Sequence, residues 1–218
     1  MCWARCRQTL TPCAASVGPV GAVARVAGAG RDSAHTTWQA LPMAVGGAGT
    51  HRIVVLRHAA AEKSAASDHA RELTARGRRD ATAVGELLTD ILDPDADTVA
   101  LVSTAVRARQ TWEAAAAELA MTVEERQLDE LYEADSNELV DMLALLPDET
   151  EVVVVVGHNP TMEALVNQLE NGDDEDLAGR LAEDGFPKAG LAVLEQDGSW
   201  SELETGSCRL ERLEVGRA

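Results

Sequence analysis

Aromatic residues, cysteines and long apolar runs are all scarce in this chain, and each shortage excludes something. Phe, Trp and Tyr make up 3% of its 218 residues, so the core must be built mainly from Ala, Val and Leu. The four cysteines lack the paired spacing of a zinc site, and such cysteine usage is typical of a reducing, cytoplasmic setting. No stretch approaches the ~20 consecutive apolar residues of a membrane-spanning helix. We therefore expect a cytoplasmic protein that does not cross a membrane.

Positive charge is scarce as well. The formal net charge is −18 at pH 7, and residues 1–50 hold four Arg and one Asp, which leaves −21 for residues 51–218. Nucleic acids and anionic membranes bind clustered Lys and Arg, so we expect neither as a partner. The same negative field repels free anions. A phosphorylated substrate would therefore require a local pocket of cationic side chains.

Residues 1–50 differ in composition from the rest of the chain. They are rich in Ala, Gly and Arg, lack sustained periodicity and contain several Gly and Pro breaks. The apolar segment 17–29 is interrupted by glycines and by Pro19, so a secretory signal is a poor match. We expect either a disordered extension or a start assigned too early, with Met43 as the true start; a transit peptide is the remaining alternative. The folded domain is predicted to span residues 51–218.

Strand and helix patterns alternate through this domain. Two short apolar runs, 53–56 and 99–102, and the five consecutive valines at 152–156 are typical of strands buried on both faces. Apolar residues at helical spacing predict a helix capped by Thr74, and an Ala-rich segment predicts another helix over residues 106–120. This alternation predicts an α/β fold, a three-layer α/β/α sandwich with a mainly parallel central sheet.

Local signals predict three further elements. Asn159 is expected to cap a helix that has Pro160 at its first position. Residues 172–176 are predicted to form an exposed acidic loop. Residues 191–195 and 200–203 flank an Asp-Gly turn, which predicts a β-hairpin near the end of the chain.

Polar residues follow three of the predicted strands. The first strand ends at Arg57 and His58, the second runs into Ser103 and Arg107, and the valine strand is followed by His158. Because the carboxyl ends of parallel strands meet at one edge of a sheet, which is where such sheets bind ligands, these groups should converge. Each group alone is as readily a surface loop or a helix cap. Their convergence predicts a site with two histidines and at least two arginines.

Four motifs, taken together, resemble a known family. They are Leu-Arg-His-Ala at 56–59, Leu-Thr-Ala-Arg-Gly at 73–77, Ser-Thr-Ala-Val-Arg-Ala-Arg-Gln-Thr at 103–111 and Val-Gly-His-Asn-Pro at 156–160. In these motifs the chain resembles the histidine phosphatase (phosphoglycerate-mutase-like) superfamily. The short chain, which lacks a large inserted cap, is most similar to the SixA-type phosphohistidine phosphatases.

The resemblance implies a role for each matching residue. His58 would be the nucleophile that becomes phosphorylated, and His158 would be its catalytic partner. The phosphoryl oxygens would be held by four side chains, those of Arg57, Arg71, Arg107 and His158. Glu133 is the candidate general acid, with an ordinary surface carboxylate as the alternative interpretation.

The chemistry of phosphoryl transfer suits these residue types. Arginine stays charged and offers fork-like donors to phosphate oxygens, and imidazole can be a neutral nucleophile near pH 7. Since cationic side chains supply the charge, no metal ion or other cofactor is expected.

The leading hypothesis is a phosphatase with a covalent phosphohistidine intermediate, acting on phosphohistidine in proteins. One alternative is a small-molecule phosphomonoesterase of the same superfamily. Another is a phosphate-binding regulatory protein with little turnover. A metal-dependent hydrolase is disfavoured because two neighbouring arginines would repel a bound cation.

Overall fold

A run of five valines forms the centre of the sheet. The computed structural model describes residues 49–218, so the prediction for residues 1–50 lies almost wholly outside the described part. β4 (Val152–Gly157) lies between β1 (Thr50–Arg57) and β2 (Thr98–Ser103) and pairs with both in parallel. Every residue of β4 is buried, as expected for a strand whose two faces are both covered.

Six strands follow the order β3-β2-β4-β1-β5-β6 across the sheet. β3 (Glu124–Leu128) pairs in parallel with β2, whereas β5 (Gly190–Asp197) and β6 (Arg209–Val215) add an antiparallel pair beyond β1. The prediction of an α/β fold with a mainly parallel central sheet is confirmed, and the antiparallel pair extends that sheet at one edge.

Helices cover both faces of the sheet. The apolar side chains of α1 (Ala75–Ile91) and α2 (Val106–Ala116) pack in one core cluster. The cluster on the other face contains side chains from α3 (Glu130–Glu133), α4 (Ser136–Leu143), α5 (Thr161–Leu169) and α6 (Glu175–Asp184). Alternate residues of β1 divide between the two clusters, as the two-residue period of a strand requires. The three-layer arrangement is therefore as predicted. None of the described helices has the length and apolarity needed to span a bilayer.

Side chains at the starts of three helices account for one prediction that the structure confirms and two that it corrects. The Thr74 hydroxyl accepts a hydrogen bond from the N–H of Gly77 at 2.9 Å and caps α1, as predicted. Asn159 does not cap α5, because its side chain donates to the Glu163 carboxylate instead. The predicted acidic loop is partly helical, because the side chain of Asp174 caps the first turn of α6.

The second strand of the predicted hairpin is wrong. Trp200–Glu202 is a single 3₁₀ turn, in which the buried Trp200 indole donates to the carbonyl of Thr150 at 2.8 Å. The antiparallel partner of β5 is β6. Two strands, β3 and β6, escape detection from sequence because each lies at a sheet edge and carries mostly polar side chains. α2 ends at Ala116 rather than at residue 120.

We predict opposite effects on stability for Gly→Ala at two helical positions. A Cβ at Gly77 would overlap the carbonyl oxygen of Ala60, whereas no heavy atom lies within 4 Å of the same position at Gly179. Gly77→Ala should lower the free energy of unfolding by about 1–3 kcal/mol through overpacking. Gly179→Ala should raise it by about 0.5–1 kcal/mol through helix propensity. Urea denaturation measures both values, and stabilisation by both substitutions would contradict the packing described for Ala60.

Candidate active site

The carboxyl ends of neighbouring parallel strands bring the predicted groups together. Arg57, the last residue of β1, pairs with Gly157, the last residue of β4. The N–H of His58 donates to the carbonyl of Gly157 at 3.0 Å. The ring centroids of His58 and His158 are 5.1 Å apart. The parallel register thus places the two histidines side by side at the edge where such sheets bind ligands.

His58 is held in one tautomer. Its Nδ1 lies 2.7 Å from the carbonyl oxygen of Ala59. A carbonyl oxygen only accepts hydrogen bonds, so Nδ1 carries the proton. Nε2 of the neutral ring then holds a lone pair, to which the Nε–H of Arg107 donates at 3.3 Å. An imidazole with an unprotonated Nε2 is the form that can act as a nucleophile.

Burial keeps both imidazoles neutral. Burial lowers the pKa of His58 to about 3. The hydrogen bond to the Ala59 carbonyl acts in the opposite direction, and the neighbouring His158 and Arg107 lower the pKa further. Burial followed by the charge of Arg107 lowers the pKa of His158 to about 4, with Asp68 acting in the opposite direction. Both rings are therefore uncharged at pH 7.

The loop that carries His58 is anchored to α2 and to the start of β5. The N–H of Ala59 donates to the Thr111 hydroxyl at 3.0 Å, and this hydroxyl donates to the carbonyl of Arg107 at 2.7 Å. The N–H of Ala189 donates to the carbonyl of His58 at 3.3 Å. Thr111, in the third motif, thus ties the backbone beside the nucleophile candidate to the helix that carries Arg107.

Arg57 is oriented by a hydrogen-bond network around α5. Its Nη1 donates to the carbonyl of Phe186 at 2.5 Å, and the same carbonyl accepts from the Asn159 amide at 3.1 Å. The Asn159 amide also donates to Glu163 at 2.7 Å. Burial lowers the pKa of Arg57, and the charge of Glu163 counteracts that shift. Asn159 therefore helps to position the carbonyl that holds Arg57.

Arg71 and Arg107 share the carboxylate of Asp68, which was not predicted from the sequence. Oδ2 of Asp68 accepts from Nη2 of Arg107 at 3.0 Å and from the Tyr132 hydroxyl at 2.8 Å. Oδ1 of Asp68 accepts from Nε of Arg71 at 2.8 Å. The Tyr132 ring in turn lies edge-on to His158, with centroids 5.5 Å apart. Two of the predicted phosphate-binding arginines are thus gathered around one anion.

Only one of the two ring nitrogens of His158 has a hydrogen-bond partner within the described residues. Its Nε2 lies 2.9 Å from the hydroxyl oxygen of Ser103. Its Nδ1, together with Nε of Arg57, is buried and has no hydrogen-bond partner within residues 49–218. Buried polar atoms in proteins are nearly always paired. Unpaired atoms on two neighbouring strand ends are therefore typical of a site that a polar ligand completes.

Glu133 stands apart from these residues. It is the last residue of α3 and is exposed, outside the hydrogen-bond network described above. The residue before it, Tyr132, is the one whose side chain reaches the site. The structure thus brings together the two histidines and the three arginines of the sequence prediction and leaves Glu133 at the surface.

Three side chains of the site were not found from sequence, namely Asp68, Tyr132 and Glu163. Asp68 and Glu163 are two of 37 acidic residues, so residue type alone could not single them out. Tyr132 had a usable signal, because it is the chain's single tyrosine and directly precedes the candidate acid.

Comparison with solved structures identifies the fold. A phosphoglycerate mutase from Plasmodium falciparum, PFD0660w, superposes with a TM-score of 0.51 over 78% of this chain and 93% of that chain, at 21% identity. At this identity the similarity concerns the fold alone. The chain has the phosphoglycerate-mutase-like α/β fold.

Sequence similarity adds the family. Residues 53–144 match the Histidine phosphatase superfamily (branch 1). A candidate phosphohistidine phosphatase SixA from Nakamurella multipartitia is 34% identical with a TM-score of 0.65, covering 78% of this chain and 98% of that chain. The uncharacterised protein Rv1276c of Mycobacterium tuberculosis is 36% identical over 165 residues, which are 74% of this chain and 100% of the relative. The chain belongs to the histidine phosphatase superfamily, in its SixA-type group, and this membership supports phosphatase activity.

We predict that neither His58 nor His158 titrates near neutrality in the folded protein. Because burial lowers both pKa values, the ring signals in NMR spectra should not shift between about pH 8 and about pH 6, where free imidazole titrates. The ¹⁵N spectrum of His58 should show a protonated Nδ1 and an unprotonated Nε2. His58→Gln and His158→Gln assign the signals, and the urea-unfolded protein is the control. A folded-state transition near pH 6.5 would contradict the description of these rings.

Proposed function

We propose that the chain hydrolyses phosphohistidine in proteins, through a covalent phosphohistidine intermediate on His58 and without a metal ion. The observation that carries this proposal is the geometry of His58, a buried neutral ring whose unprotonated Nε2 meets the guanidinium of Arg107. Attack on a phosphoryl group requires an unprotonated nucleophile beside a cationic group, because the guanidinium offsets the negative charge of the phosphoryl oxygens.

The proposed reaction has two displacement steps. In the first, Nε2 of His58 attacks phosphorus in line, and an N–P bond forms as the bond to the leaving group breaks. In the second, water attacks the phosphorus of phospho-His58, which releases phosphate and restores the imidazole. Throughout, the equatorial oxygens would be held by donors from Arg57, Arg71, Arg107 and His158.

The openness of the site favours a protein substrate. Residues 62–67, which precede Asp68 in the connection between β1 and α1, are exposed. Within residues 49–218, the strands and helices follow one another without a domain-sized insertion over the site. A histidine side chain presented by another protein could therefore approach. The exposed position of Glu133 favours the same substrate, because imidazole is a better leaving group than an alkoxide and asks less of a general acid.

Metal independence and location complete the proposal. Within residues 49–218, no group of three or more His, Cys, Asp and Glu side chains is arranged to hold a metal ion. The arginines beside both histidines would also repel a cation.

We propose a cytoplasmic location from the cysteine usage, since the free Cys208 is buried and the chain lacks the cysteine pattern of a disulfide framework.

We predict that turnover is resistant to EDTA and is lost with His58. Hydrolysis of a phosphohistidine peptide and of p-nitrophenyl phosphate should persist in excess EDTA. His58→Ala should lower kcat at least about 10³-fold, because the nucleophile is removed. Brief mixing with ³²P-labelled substrate should label the wild type through an acid-labile, base-stable bond that peptide mapping assigns to His58.

Arg209→Ala is the matched control for that experiment. It removes ion pairs to Glu195 and Glu211 at the β5–β6 edge of the sheet, and it should leave turnover and labelling unchanged. Loss of turnover in EDTA that added metal restores would contradict the mechanism. Tight phosphate binding without turnover would instead favour the regulatory alternative.

We further predict that Glu133→Gln separates two kinds of substrate. If Glu133 protonates the leaving group, the substitution should lower kcat for an alkyl phosphate by about 10²-fold. The kcat for a phosphohistidine peptide should fall less, because its leaving group needs less help from an acid. The exposed Glu130, one turn earlier on α3, provides the control as Glu130→Gln. Equal rates for Glu133→Gln and wild type on the alkyl phosphate would remove Glu133 from the mechanism.

A further inference from the structure

Asp68 is the centre of a group of contacts that the proposed mechanism does not use. Its carboxylate accepts from Arg71, Arg107 and Tyr132 at 2.8 to 3.0 Å. Its backbone carbonyl accepts from Nη1 of Arg107 at 2.8 Å. Despite these contacts the side chain is still 56% exposed. The carboxylate therefore holds two arginines on its inner side and keeps its outer side open to an incoming molecule.

The guanidinium of Arg107 lies between Asp68 and the nucleophile. Nε of Arg107 meets Nε2 of His58, while Nη1 and Nη2 meet Asp68. His58 is 6% exposed and Asp68 lies at the surface. A phosphoryl group that binds to Arg107 beside Nε2 must enter from the open side. Its leaving group, opposite the nucleophile in an in-line displacement, then comes to the side on which Asp68 stands.

Asp68 is an anion and not an acid. The Tyr132 hydrogen bond lowers the pKa of this carboxyl group; desolvation opposes that shift, and the charges of Arg107 and Arg71 reinforce it. At neutral pH the side chain therefore has no proton to give to a departing group. It can accept a hydrogen bond from a protonated leaving group, and it repels a negatively charged one.

We propose that Asp68 is a specificity-determining residue that favours phosphohistidine over phosphate esters by binding the protonated imidazole of the leaving group. This inference rests on the proposed function. A phosphorylated imidazole protonated on its second ring nitrogen carries an N–H that the Asp68 carboxylate can accept. A phosphate ester has no such N–H, and its leaving oxygen gains negative charge as the bond breaks.

The first step balances without a proton from the enzyme. The bond from phosphorus to the substrate's ring nitrogen breaks, and its electron pair stays on that nitrogen. The ring keeps the proton on its other nitrogen and leaves as neutral imidazole. A bond from phosphorus to Nε2 of His58 forms in the same step. An alkyl ester would need one proton more at its leaving oxygen, which an ionised Asp68 does not supply.

The test compares two substrates in Asp68→Asn, which removes the charge and keeps the size. The substrates are a phosphohistidine peptide and p-nitrophenyl phosphate, whose leaving group is an anion. The kcat/KM for the phosphohistidine peptide should fall about tenfold or more, because a charged hydrogen-bond acceptor is lost. The kcat/KM for p-nitrophenyl phosphate should stay constant or rise, because a repulsive charge is removed. The ratio of the two values is the readout.

Two further variants complete the experiment. Asp141→Asn, at an exposed position of α4, is the matched control and should leave the ratio unchanged. Asp68→Ser removes the carboxylate in a different way and should move the ratio in the same direction as Asp68→Asn. Urea denaturation of each variant verifies that it is folded under the assay conditions.

The possible outcomes separate the inference from the proposed function. Equal losses on both substrates would mean that Asp68 only braces Arg71 and Arg107, and would overturn the inference. No change in either kcat/KM value would overturn it too. In both cases the wild type still turns over, and the proposed function survives. A folded wild type that hydrolyses neither substrate would overturn the proposed function and, with it, the role assigned to Asp68.

Discussion

The parallel pairing of β1 with β4 is the constraint on which the rest of the site depends. The two strands pair residue by residue up to Arg57 and Gly157, and each is followed directly by a histidine. Because side chains alternate between the faces of a strand, a slip of one residue would exchange the two buried faces. Each strand also pairs with a second neighbour, β1 with β5 and β4 with β2, so a slip would have to break a second hydrogen-bond ladder as well. The register of the sheet therefore determines where two imidazoles meet.

The site collects positively charged side chains although the chain as a whole is strongly negative. A chain with a net charge of −18 collects three arginines and two histidines at one sheet edge. Burial and mutual repulsion keep the imidazoles neutral, so the positive charge comes from the guanidinium groups. Asp68 balances two of those groups from the outer side, and Glu163 acts on the third. Carboxylates of the protein itself therefore offset part of the positive charge of all three arginines.

Sequence alone was sufficient for the parts of the fold that are buried on both sides. The valine run and the strand before Arg57 have continuous apolar character, which is typical of a strand covered on both faces. Edge strands such as β6 were not predicted, because one of their sides faces solvent and their polar residues resemble those of a loop. Trp200 was misread because a large aromatic residue favours strands, whereas here its indole fills the core from a 3₁₀ turn.

The residues of the site also differ in how far the sequence could predict them. The two histidines and Arg57 could be predicted because they stand at strand ends, and Arg107 because it stands at the start of the helix after β2. Arg71 was predicted only from the family resemblance. Asp68 could not be predicted, since it lies in an exposed connection and two of its partners, Arg107 and Tyr132, are distant in the chain. Asn159 was found but misassigned as a helix cap, because its true partners, Glu163 and the carbonyl of Phe186, depend on the tertiary structure.

The position of β1 between β4 and β5 has a consequence for the order of events on the ribosome. The strand that leads to His58 is synthesised first, but its neighbours in the sheet are made roughly a hundred residues later or more. The N–H that holds the carbonyl of His58 belongs to Ala189, close to the end of the chain. The loop of His58 can therefore reach its described arrangement only after β4, β5 and Ala189 have been synthesised. A product truncated before β4 would hold the motif but not the site.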